Sequence, residues 1–405
     1  MRILLVSPHF YPENFKCNDV AFELSRRGHE VTVLSDIPNY PAGHFFPGYG
    51  LFRRRRERVG GVEVVRVAVV PRGNARPLRL MLNYASFVLT GTAWAAGLML
   101  TRRFDAVLVH ETSPITVGIP ALLVKKWQHI PLYFWVLDLW PESLTAAGGV
   151  RNRRVLLLFA KLARTLYRHS RRILISSRGF EESICAKGPF RERIEYFPNW
   201  PDKAFASHTD YPLPHMPEGF VMMFAGNIGE AQDFESLMAA ALLLREERAI
   251  HFVLVGDGRK KPWVDRFVRE HSLQATVHCL GRHPLESMPK FFDCADAMIV
   301  SLKDEPIFKL TAPAKIQAYM SAGKPILGMI SGEGSRLIAE ARCGMAVEAG
   351  QAEAFAGIVR RMAAMTEAER AELGRNGLDY GREHFDFRRS MDRLETWLRD
   401  DAEHH

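Results

Sequence analysis

Residues 220–244 read FVMMFAGNIGEAQDFESLMAAALLL and set the architecture of this chain. Six apolar residues, a pattern typical of a buried strand, end at a turn that contains Gly226 and Gly229. A segment with the spacing of a helix follows. A strand, turn and helix in this order can present backbone amides to a phosphate. The turn contains no Lys or Arg, so a plain tight turn is the alternative interpretation.

The same alternation of strand and helix patterns runs along all 405 residues. It predicts an α/β protein with two Rossmann-like, doubly wound parallel-sheet domains that face a cleft. A polar, Pro-rich segment at 198–219 separates two sets of strands. We therefore expect a first domain at 1–200, a second at 201–380, and a C-terminal helix at 381–405 that returns to the first domain. The predicted strands lie at 2–7, 29–35, 62–68, 106–110, 131–137, 171–177, 194–197, 220–225, 250–255, 275–280, 297–302, 325–330 and 344–348.

Composition indicates a globular protein from a reduced compartment. The chain is 47% apolar and 25% charged. Its five cysteines have neither C-x-x-C nor His-pair spacing, which predicts no disulfide framework and no structural metal. The opening MRILLVSPHF resembles a strand rather than an export signal, so we expect a cytosolic protein.

The net charge of +8 is concentrated in clusters. The densest is LFRRRRERVGG at 51–61, which contains Arg53, Arg54, Arg55, Arg56 and Arg58. Such a cluster suits nucleic acid, anionic lipid or a phosphorylated substrate, or it is a solvated loop. No helix-turn-helix, RNA-recognition or zinc-finger signature accompanies the charge, so nucleic acid is not expected.

Residues 80–101 carry no charge over 22 positions, which is long enough to cross a bilayer. The segment contains polar residues and two glycines, and it lies between two predicted strands of one sheet. A span would place those strands on opposite sides of a membrane. We therefore expect a helix buried against the sheet, with lipid contact as a further possibility.

The glycines place a nucleotide in the second domain rather than the first. The first strand is followed by SPHFYPENFKCND, without a glycine before Gly28, which argues against a dinucleotide-binding turn. The second domain has three glycine-containing strand ends, at Gly226 and Gly229, at Gly256 and Gly258, and at Gly281. We expect nucleotide phosphates there and the other substrate at the first domain.

Over nearly its whole length the chain resembles family 4 glycosyltransferases of the GT-B fold. In the second domain the segments AGNIGEAQ, LVGDG, ADAMIVSL and PAKIQAYMSAGKPI follow in the family's order. A narrower similarity, to bacterial transferases that add N-acetyl-L-fucosamine during O-antigen or capsule assembly, rests on PENFKCND (12–19), PNYPAGHFFPGYG (38–50), NYASFVL (83–89), DLWPES (138–143) and PNW (198–200).

The resemblance implies a nucleoside-diphosphate-sugar donor bound mainly by the second domain, an acceptor bound by the first, no metal, and retention at the anomeric carbon. The chain departs from the family at two places. Asn227 and Gln232 stand where many members have Arg and Lys, and Leu310 and Ala318 stand where many have two glutamates.

Predicted site residues lie at strand ends and helix starts. Asp138 and Glu142 are predicted to be catalytic, although DLWPES is also typical of a helix cap. The predicted acceptor contacts have local alternatives too: helix capping, turn formation and a satisfied strand-end histidine. These contacts are Asn18, Asp19, Asn39, Tyr40 and His110. The predicted donor contacts are Gly226, Asn227, Gly229, Gln232, Gly256, Gly258, Lys309, Thr311 and Lys315.

Lys315 is predicted to be catalytic as well as donor-binding. Thr311 and Pro313 indicate a helix start, and Lys315 lies in its first turn, where a cation opposes the helix dipole. This local conflict favours function over stability. We expect the donor diphosphate to lie between the amides of 226–229 and this helix end.

Together these features predict a metal-independent, retaining glycosyltransferase. It would move an N-acetylated deoxyhexose such as N-acetyl-L-fucosamine, or N-acetylglucosamine, from UDP to a glycan on a polyprenyl-diphosphate lipid. The arginine cluster at 53–58 would hold it peripherally at the inner face of the cytoplasmic membrane. The alternatives are a UDP-sugar epimerase or hydrolase, and an inactive binding subunit of a polysaccharide-assembly complex.

Overall fold

The computed structural model describes residues 1–74, 76–148, 150, 152–206 and 210–403. The chain forms two compact units, the first composed of Met1–Phe197 and Phe387–His405 and the second of Pro198–Asp386. Residues 207–209 of the predicted second domain and residues 404 and 405 of the predicted C-terminal segment lie outside the described residues.

The first unit contains an eight-stranded sheet with the order β3-β4-β2-β1-β5-β6-β7-β8. All of its neighbours are parallel except β3 and β4. The central strands are entirely buried, as parallel strands covered on both faces must be. The strands are β1 Arg2–Val6, β2 Glu30–Asp36, β3 Arg56–Val59, β4 Val62–Val67, β5 Ala106–Glu111, β6 Leu132–Val136, β7 Arg172–Ile175 and β8 Ile194–Tyr196.

Seven α-helices of the described chain belong to this unit. They are α1 Lys16–Arg26, α2 Pro77–Thr101, α3 Gly118–Gln128, α4 Glu142–Gly148, α5 Arg153–His169, α6 Phe180–Cys185 and, at the C-terminus, α15 Phe387–Glu403. The last helix packs on the first unit as predicted. Its buried Asp401 accepts hydrogen bonds from the Tyr133 hydroxyl and from Arg172, at 2.8 Å each. Its Glu395 pairs with Arg27 at 2.9 Å and with His29 at 3.1 Å.

The second unit contains a six-stranded parallel sheet with the order β11-β10-β9-β12-β13-β14. Helix α7 begins where Asp233 accepts a hydrogen bond from the amide of Ser236. The strands are β9 Phe220–Ala225, β10 Ile250–Val255, β11 Val277–Gly281, β12 Ala297–Ser301, β13 Ile326–Met329 and β14 Gly344–Val347. The helices are α7 Phe234–Leu243, α8 Lys261–Glu270, α9 Met288–Asp293, α10 Pro306–Leu310, α11 Ala314–Ser321, α12 Glu333–Glu340, α13 Ala352–Ala363 and α14 Glu367–His384.

Each sheet has one point where the strand order reverses direction. In the first unit it lies between β1 and β5, and in the second between β9 and β12. Ligands of open α/β sheets bind at the carboxyl ends of the strands at such points. The loops after β1 and β5 and the turn after β9 are therefore the places to look for substrate groups.

Helix α2 corrects one prediction. Only 28% of the most apolar stretch of this helix is buried. The buried stripe consists of Asn83, Phe87, Gly91, Ala95 and Leu98. By length and composition alone α2 could cross a membrane. The exposed apolar side chains of α2 are Leu78, Met81, Leu82, Leu89 and Leu100. The helix thus packs through one edge and is not enclosed by the unit.

Candidate active site

In the second unit, the turn after β9 makes room for a lysine. Gly226 has φ +129°, and a Cβ on it would lie 3.0 Å from Lys315 Nζ. Lys315 is the second residue of α11, whose N-cap is Pro313, so the predicted helix start is confirmed. A glycine is needed here because the lysine occupies the space of a side chain.

The Lys315 ammonium is buried without a counterion. The side chain as a whole is partly exposed, but Nζ is buried and has no hydrogen-bond partner among the described residues. It lies 3.4 Å from the centre of the Phe224 ring. Burial lowers the pKa of Lys315 to about 7. A buried lysine without a counterion suits an anionic ligand, because the ligand would supply the negative charge and the hydrogen-bond acceptors that the protein does not.

Three backbone amides of the turn, those of Gly226, Ile228 and Gly229, are bonded within the protein, which weakens the case for a phosphate cradle. The amide of Gly226 donates to Val255 O and that of Ile228 to Asp257 O, both at 2.8 Å. The amide of Gly229 donates to Gln232 Oε1 at 3.1 Å. These three amides fit the plain-turn interpretation, while the cation comes from α11.

Glycines on the neighbouring strand end allow the two turns to stack. A Cβ on Gly256 would lie 1.9 Å from Gly226 O, and one on Gly258 would lie 2.3 Å from Ile228 O. Asn227 and Gln232 line the same turn, because a Cβ on Gly229 would meet both of their side chains. The predicted donor residues of this turn thus form one cluster. Gly256 and Gly258 let the second turn pack closely against the first.

Lys309 and Thr311 lie in a different element from Lys315. Lys309 belongs to α10, and its Nζ pairs with Asp304 at 2.8 Å, so its charge is already balanced. Thr311 ends that helix by donating its hydroxyl to Ile307 O at 2.9 Å. Their donor-binding roles remain predictions, with less structural support than the role of Lys315.

In the first unit, His110 lies at the reversal point and is held as a neutral ring. The Ser7 hydroxyl donates to His9 O at 2.7 Å, so it accepts from His110 Nδ1 at 3.0 Å. The Nε2 atom of His110 therefore carries no proton. Burial, with a smaller effect of His9, lowers the pKa of His110 to about 3. The ring can accept a hydrogen bond from a substrate hydroxyl through Nε2.

Asp138 follows the neighbouring strand β6 and is partly exposed. Its Oδ2 accepts a hydrogen bond from the Ser113 hydroxyl at 2.7 Å. Glu111, which the sequence did not predict as a site residue, supports it. Glu111 Oε2 accepts from the amides of Leu137 and Asp138 at 3.3 Å each. Burial and the charge of Asp138 raise the pKa of Glu111 well above its usual range, which disfavours a second negative charge beside Asp138.

Two predicted residues have protein partners of their own, and their roles in the site remain predictions. Glu142 Oε1 accepts from Lys187 Nζ at 2.6 Å and from the Ser183 hydroxyl at 2.7 Å. Burial opposes ionisation of Glu142, but these two bonds outweigh it and lower its pKa. Glu142 is thus part of a structural ion pair rather than a poised base. Asn39 is fully buried, and its side chain bonds Asp36, Ile37 and the Arg72 amide.

The other predicted acceptor contacts lie near the carboxyl end of β1. Helix α1 begins at Lys16 with Phe15 as N-cap, so neither Asn18 nor Asp19 is a capping residue. Asn18 instead ties the preceding loop together through Tyr11 N at 3.1 Å and Glu13 O at 2.6 Å. Asp19 lies in the first turn of α1.

A buried polar cluster that the sequence analysis missed holds this loop. Glu13 Oε2 bonds His9 Nδ1 at 2.8 Å, and Glu13 Oε1 accepts from the amides of Asn39 and Tyr40 at 2.6 Å each. His9, Glu13 and Asp36 have ligand atoms within 4.8 Å of one another, as a metal site would. The protein's own donors already bind both oxygens of Glu13, so the cluster suits a structural role. Metal independence remains a prediction. The sequence feature that could have predicted this cluster is a His and a Glu four residues apart directly after β1.

Comparison with known proteins agrees with this division of the chain. The family model described as a glycosyl transferase 4-like domain matches residues 16–200. The model described as glycosyl transferases group 1 matches residues 219–365. Together they account for both parallel-sheet units.

Individual relatives point in the same direction. The chain is 30% identical over 243 residues to the probable glycosyltransferase WbjE of Pseudomonas aeruginosa, covering 56% of this chain and 59% of that protein, less than two thirds of its length. It is 24% identical to the putative colanic acid biosynthesis glycosyl transferase WcaI of Escherichia coli (strain K12), covering 80% of this chain and 82% of that one.

The structure of Anabaena HepE in complex with UDP-glucose is similar in fold, with a TM-score of 0.67 and 14% identity. That alignment covers 99% of this chain and 100% of HepE. With both family models matched and the two Rossmann-like sheets in place, the chain belongs to the family 4 glycosyltransferases of the GT-B fold.

Proposed function

We propose that this chain transfers a sugar from UDP, bound by the second unit at Lys315, to a glycan acceptor bound by the first unit at Asp138 and His110. The sugar is an N-acetylated deoxyhexose such as N-acetyl-L-fucosamine, or N-acetylglucosamine. The acceptor is a glycan on a polyprenyl diphosphate, and the product enters a surface polysaccharide such as O-antigen, capsule or exopolysaccharide. The family, the probable glycosyltransferase WbjE and the putative colanic acid biosynthesis glycosyl transferase WcaI support this class of reaction.

The buried, unpartnered ammonium of Lys315 carries the proposal. When the bond between the sugar and UDP breaks, negative charge grows on the β-phosphate. A fixed cation in a water-poor site stabilises that charge more in the transition state than in the ground state. HepE, which shares the fold, was crystallised with UDP-glucose, and this favours UDP as the nucleotide.

The chemistry requires one bond to form and one to break. The acceptor hydroxyl oxygen attacks the anomeric carbon from the face that the diphosphate leaves, so the configuration is retained. The hydroxyl proton passes to the departing β-phosphate oxygen, and Asp138 orients the acceptor sugar by accepting a hydrogen bond from a neighbouring hydroxyl of that sugar. The Asp138 carboxylate is held for this role by the Ser113 hydroxyl at 2.7 Å. Lys315, rather than a metal ion, balances the leaving charge.

Contact with the inner face of the cytoplasmic membrane completes the proposal. Arg55 and Arg56 stack on Trp94 of α2, at 5.6 and 5.3 Å, so the arginine cluster and the exposed apolar helix share one surface. Phe52, 97% exposed, lies next to the cluster. Arg55 donates to the carbonyls of Arg66 and Leu51, which removes it from the cations available to lipid.

UDP release with and without a lipid-linked acceptor tests the proposal. The wild type should release UDP only with acceptor, and EDTA should not change the rate. Lys315→Met should lower turnover roughly 100-fold, equivalent to about 3 kcal/mol of transition-state stabilisation. Lys261→Met, which removes an ion pair with Asp265 on α8, is the matched control and should keep normal turnover.

The alternative activities give different results in the same assay. UDP release that does not need an acceptor would indicate a hydrolase, and conversion of the donor sugar without UDP release would indicate an epimerase. UDP binding without turnover on any glycan acceptor would indicate an inactive binding subunit. Each of these results would overturn the proposed transferase activity.

A further inference from the structure

Arg72 is a rigidly held cation that the proposed reaction does not yet use. It follows β4, at the same edge of the sheet as the loop after β1. Its Nη1 lies 3.3 Å from His9 Nε2, and its Nη2 donates to the Tyr84 hydroxyl at 3.4 Å. Its guanidinium carbon lies 5.2 Å from the centre of the Tyr40 ring and 5.7 Å from that of Tyr84.

Buried groups fix the position of this guanidinium. Because a guanidinium can only donate, His9 Nε2 accepts from Arg72, and His9 Nδ1 donates to Glu13. The side chains of His9 and Glu13 are 4% and 1% exposed, and the His9 ring stacks on Phe15 at 4.6 Å. The Arg72 amide also donates to the buried Asn39 side chain at 3.1 Å. The cation is therefore oriented before any ligand arrives.

The charge of Arg72 has no carboxylate partner. Within the described part of the chain, no carboxylate oxygen lies within the 4.0 Å of an ion pair to its guanidinium. Glu13 lies behind His9, and the buried Asp36, whose side chain bonds Asn39, interacts with Arg72 electrostatically without an ion-pair contact. The groups that do contact it are neutral or aromatic, and the side chain is partly exposed. Each terminal nitrogen of a guanidinium carries two N–H groups, so Arg72 has planar donors beyond those used by His9 and Tyr84. Such donors suit an oxyanion, which accepts two parallel hydrogen bonds.

The location connects Arg72 with the acceptor site. Its hydrogen-bond partner His9 accepts a hydrogen bond from the Ser7 hydroxyl at the backbone carbonyl. The same hydroxyl accepts a hydrogen bond from His110. Tyr84, its other partner, is close enough to Asp138 for the two to interact electrostatically. Arg72 is thus linked through His9 and Ser7 to His110, and its partner Tyr84 lies within electrostatic range of Asp138.

We propose that Arg72 binds a phosphate group of the acceptor substrate, with Tyr40 and Tyr84 holding the guanidinium flat for bidentate contact. This rests on the proposed transferase function for the identity of the acceptor. A phosphate of the acceptor and a phosphate of a membrane lipid would offer the same chemistry, and we assign the acceptor's own diphosphate. The ring of Tyr40, which is 41% exposed, would also contact the acceptor in this site.

Two acceptors that differ only in phosphate test this assignment. The assay compares a short-chain, detergent-soluble polyprenyl-diphosphate glycan with an alkyl glycoside of the same glycan. Arg72→Met should raise KM for the diphosphate acceptor roughly 10- to 100-fold, the range expected for loss of a hydrogen bond to a charged group. It should leave kcat, the KM of the alkyl glycoside and UDP affinity unchanged. Equal losses on both acceptors would show a structural role and overturn the proposal.

Further variants separate charge, fold and membrane. Arg72→Lys keeps the charge without the planar fork and should give an intermediate KM. Arg26→Met, which removes an exposed pair with Glu23, is the arginine control and should behave as wild type. Binding to anionic vesicles without acceptor should be the same for wild type and Arg72→Met. A loss of vesicle binding in Arg72→Met would assign the anion to lipid and overturn the acceptor assignment.

A binding measurement makes the result independent of turnover. Inorganic pyrophosphate is titrated into Lys315→Met, where the donor site lacks its cation, and into Lys315→Met with Arg72→Met. Binding to the first protein and at least tenfold weaker binding to the second would support the Arg72 site even if no sugar transfer were detected. Equal binding to both would overturn it, whatever the outcome of the transfer assay.

Discussion

Replacing Lys315 by Met should make the folded protein more stable at neutral pH. The ammonium is buried beside the Phe224 ring without a hydrogen-bond partner, and burial lowers its pKa from 10.5 to about 7. At 1.36 kcal/mol per pKa unit, this difference corresponds to a cost of roughly 5 kcal/mol for keeping the charge in the folded state. Met has a similar length and no charge, so Lys315→Met should gain several kcal/mol.

The pH dependence gives this prediction its sign. Between about pH 7 and pH 10.5 the unfolded lysine binds a proton that the folded one has released. The unfolded state therefore holds more protons, and the free energy of unfolding of the wild type rises with pH across this window. The advantage of Lys315→Met should be largest below pH 7 and should shrink towards zero near pH 10.

Urea unfolding at pH 6.5 and pH 9.5 without nucleotide measures this difference. The unfolding transition of the second unit is followed for wild type, Lys315→Met and Lys261→Met. The Lys261 control loses an ion pair with Asp265 and should not become more stable. A Lys315→Met protein that is less stable than wild type at pH 6.5, or whose advantage does not change with pH, would refute the reasoning. Lys315 would then be an ordinary structural residue.

Three further changes test the other parts of the site. Asp138→Asn should lower kcat roughly 100-fold with unchanged UDP affinity, as expected for loss of a group that orients the acceptor hydroxyl, measured by UDP release and by nucleotide titration. Gly226→Ala should weaken UDP binding about tenfold and lower the free energy of unfolding by about 1–2 kcal/mol. Gly226 has φ +129°, and the added Cβ would meet Lys315 Nζ at 3.0 Å. Gly357→Ala, which adds a Cβ where the structure leaves open space, is the control. Replacing the four exposed arginines among residues 53–58 by Gln should release the protein from anionic vesicles, since each cation near the surface contributes about 1 kcal/mol. Arg55→Gln alone should chiefly lower stability, and unchanged vesicle binding of the fourfold variant in moderate salt would contradict the membrane assignment.

The strands were predictable because a parallel strand covered on both faces must be apolar throughout. Both FVMMFA at 220–225 and AVLV at 106–109 show this, and the structure confirms the strand patterns of both units. The polar end of β5, His110 and Glu111, belongs to the site. The missed strand is β3, RERV at 56–59. It is the antiparallel edge of its sheet, alternates exposed with partly buried positions, and so needs no apolar run.

Long-range contacts explain what the sequence left out of the site. The turn at 226–229 was located correctly, but its Gly226 and Ile228 amides are taken by the end of β10 and the loop after it, which no local pattern reveals. His9, Asn39 and Arg72 are far apart in the chain and meet only because the order β4-β2-β1 brings three loops to one sheet edge. Each of these residues has an unremarkable local pattern, and their shared role appears only with the sheet order.

Lys315 and Arg72 show why an unbalanced cation is a more informative feature than a glycine turn. The turns at 226 and 256 satisfy their own hydrogen bonds, so folding alone accounts for them. Folding does not account for a buried ammonium without acceptors, or for a guanidinium held by a neutral histidine and two tyrosine rings. Both cations lie at the carboxyl edge of a parallel sheet, one in each unit, where substrates of this architecture bind. In the reaction proposed above, Lys315 would balance the diphosphate of the donor, and Arg72 would balance the diphosphate of the acceptor.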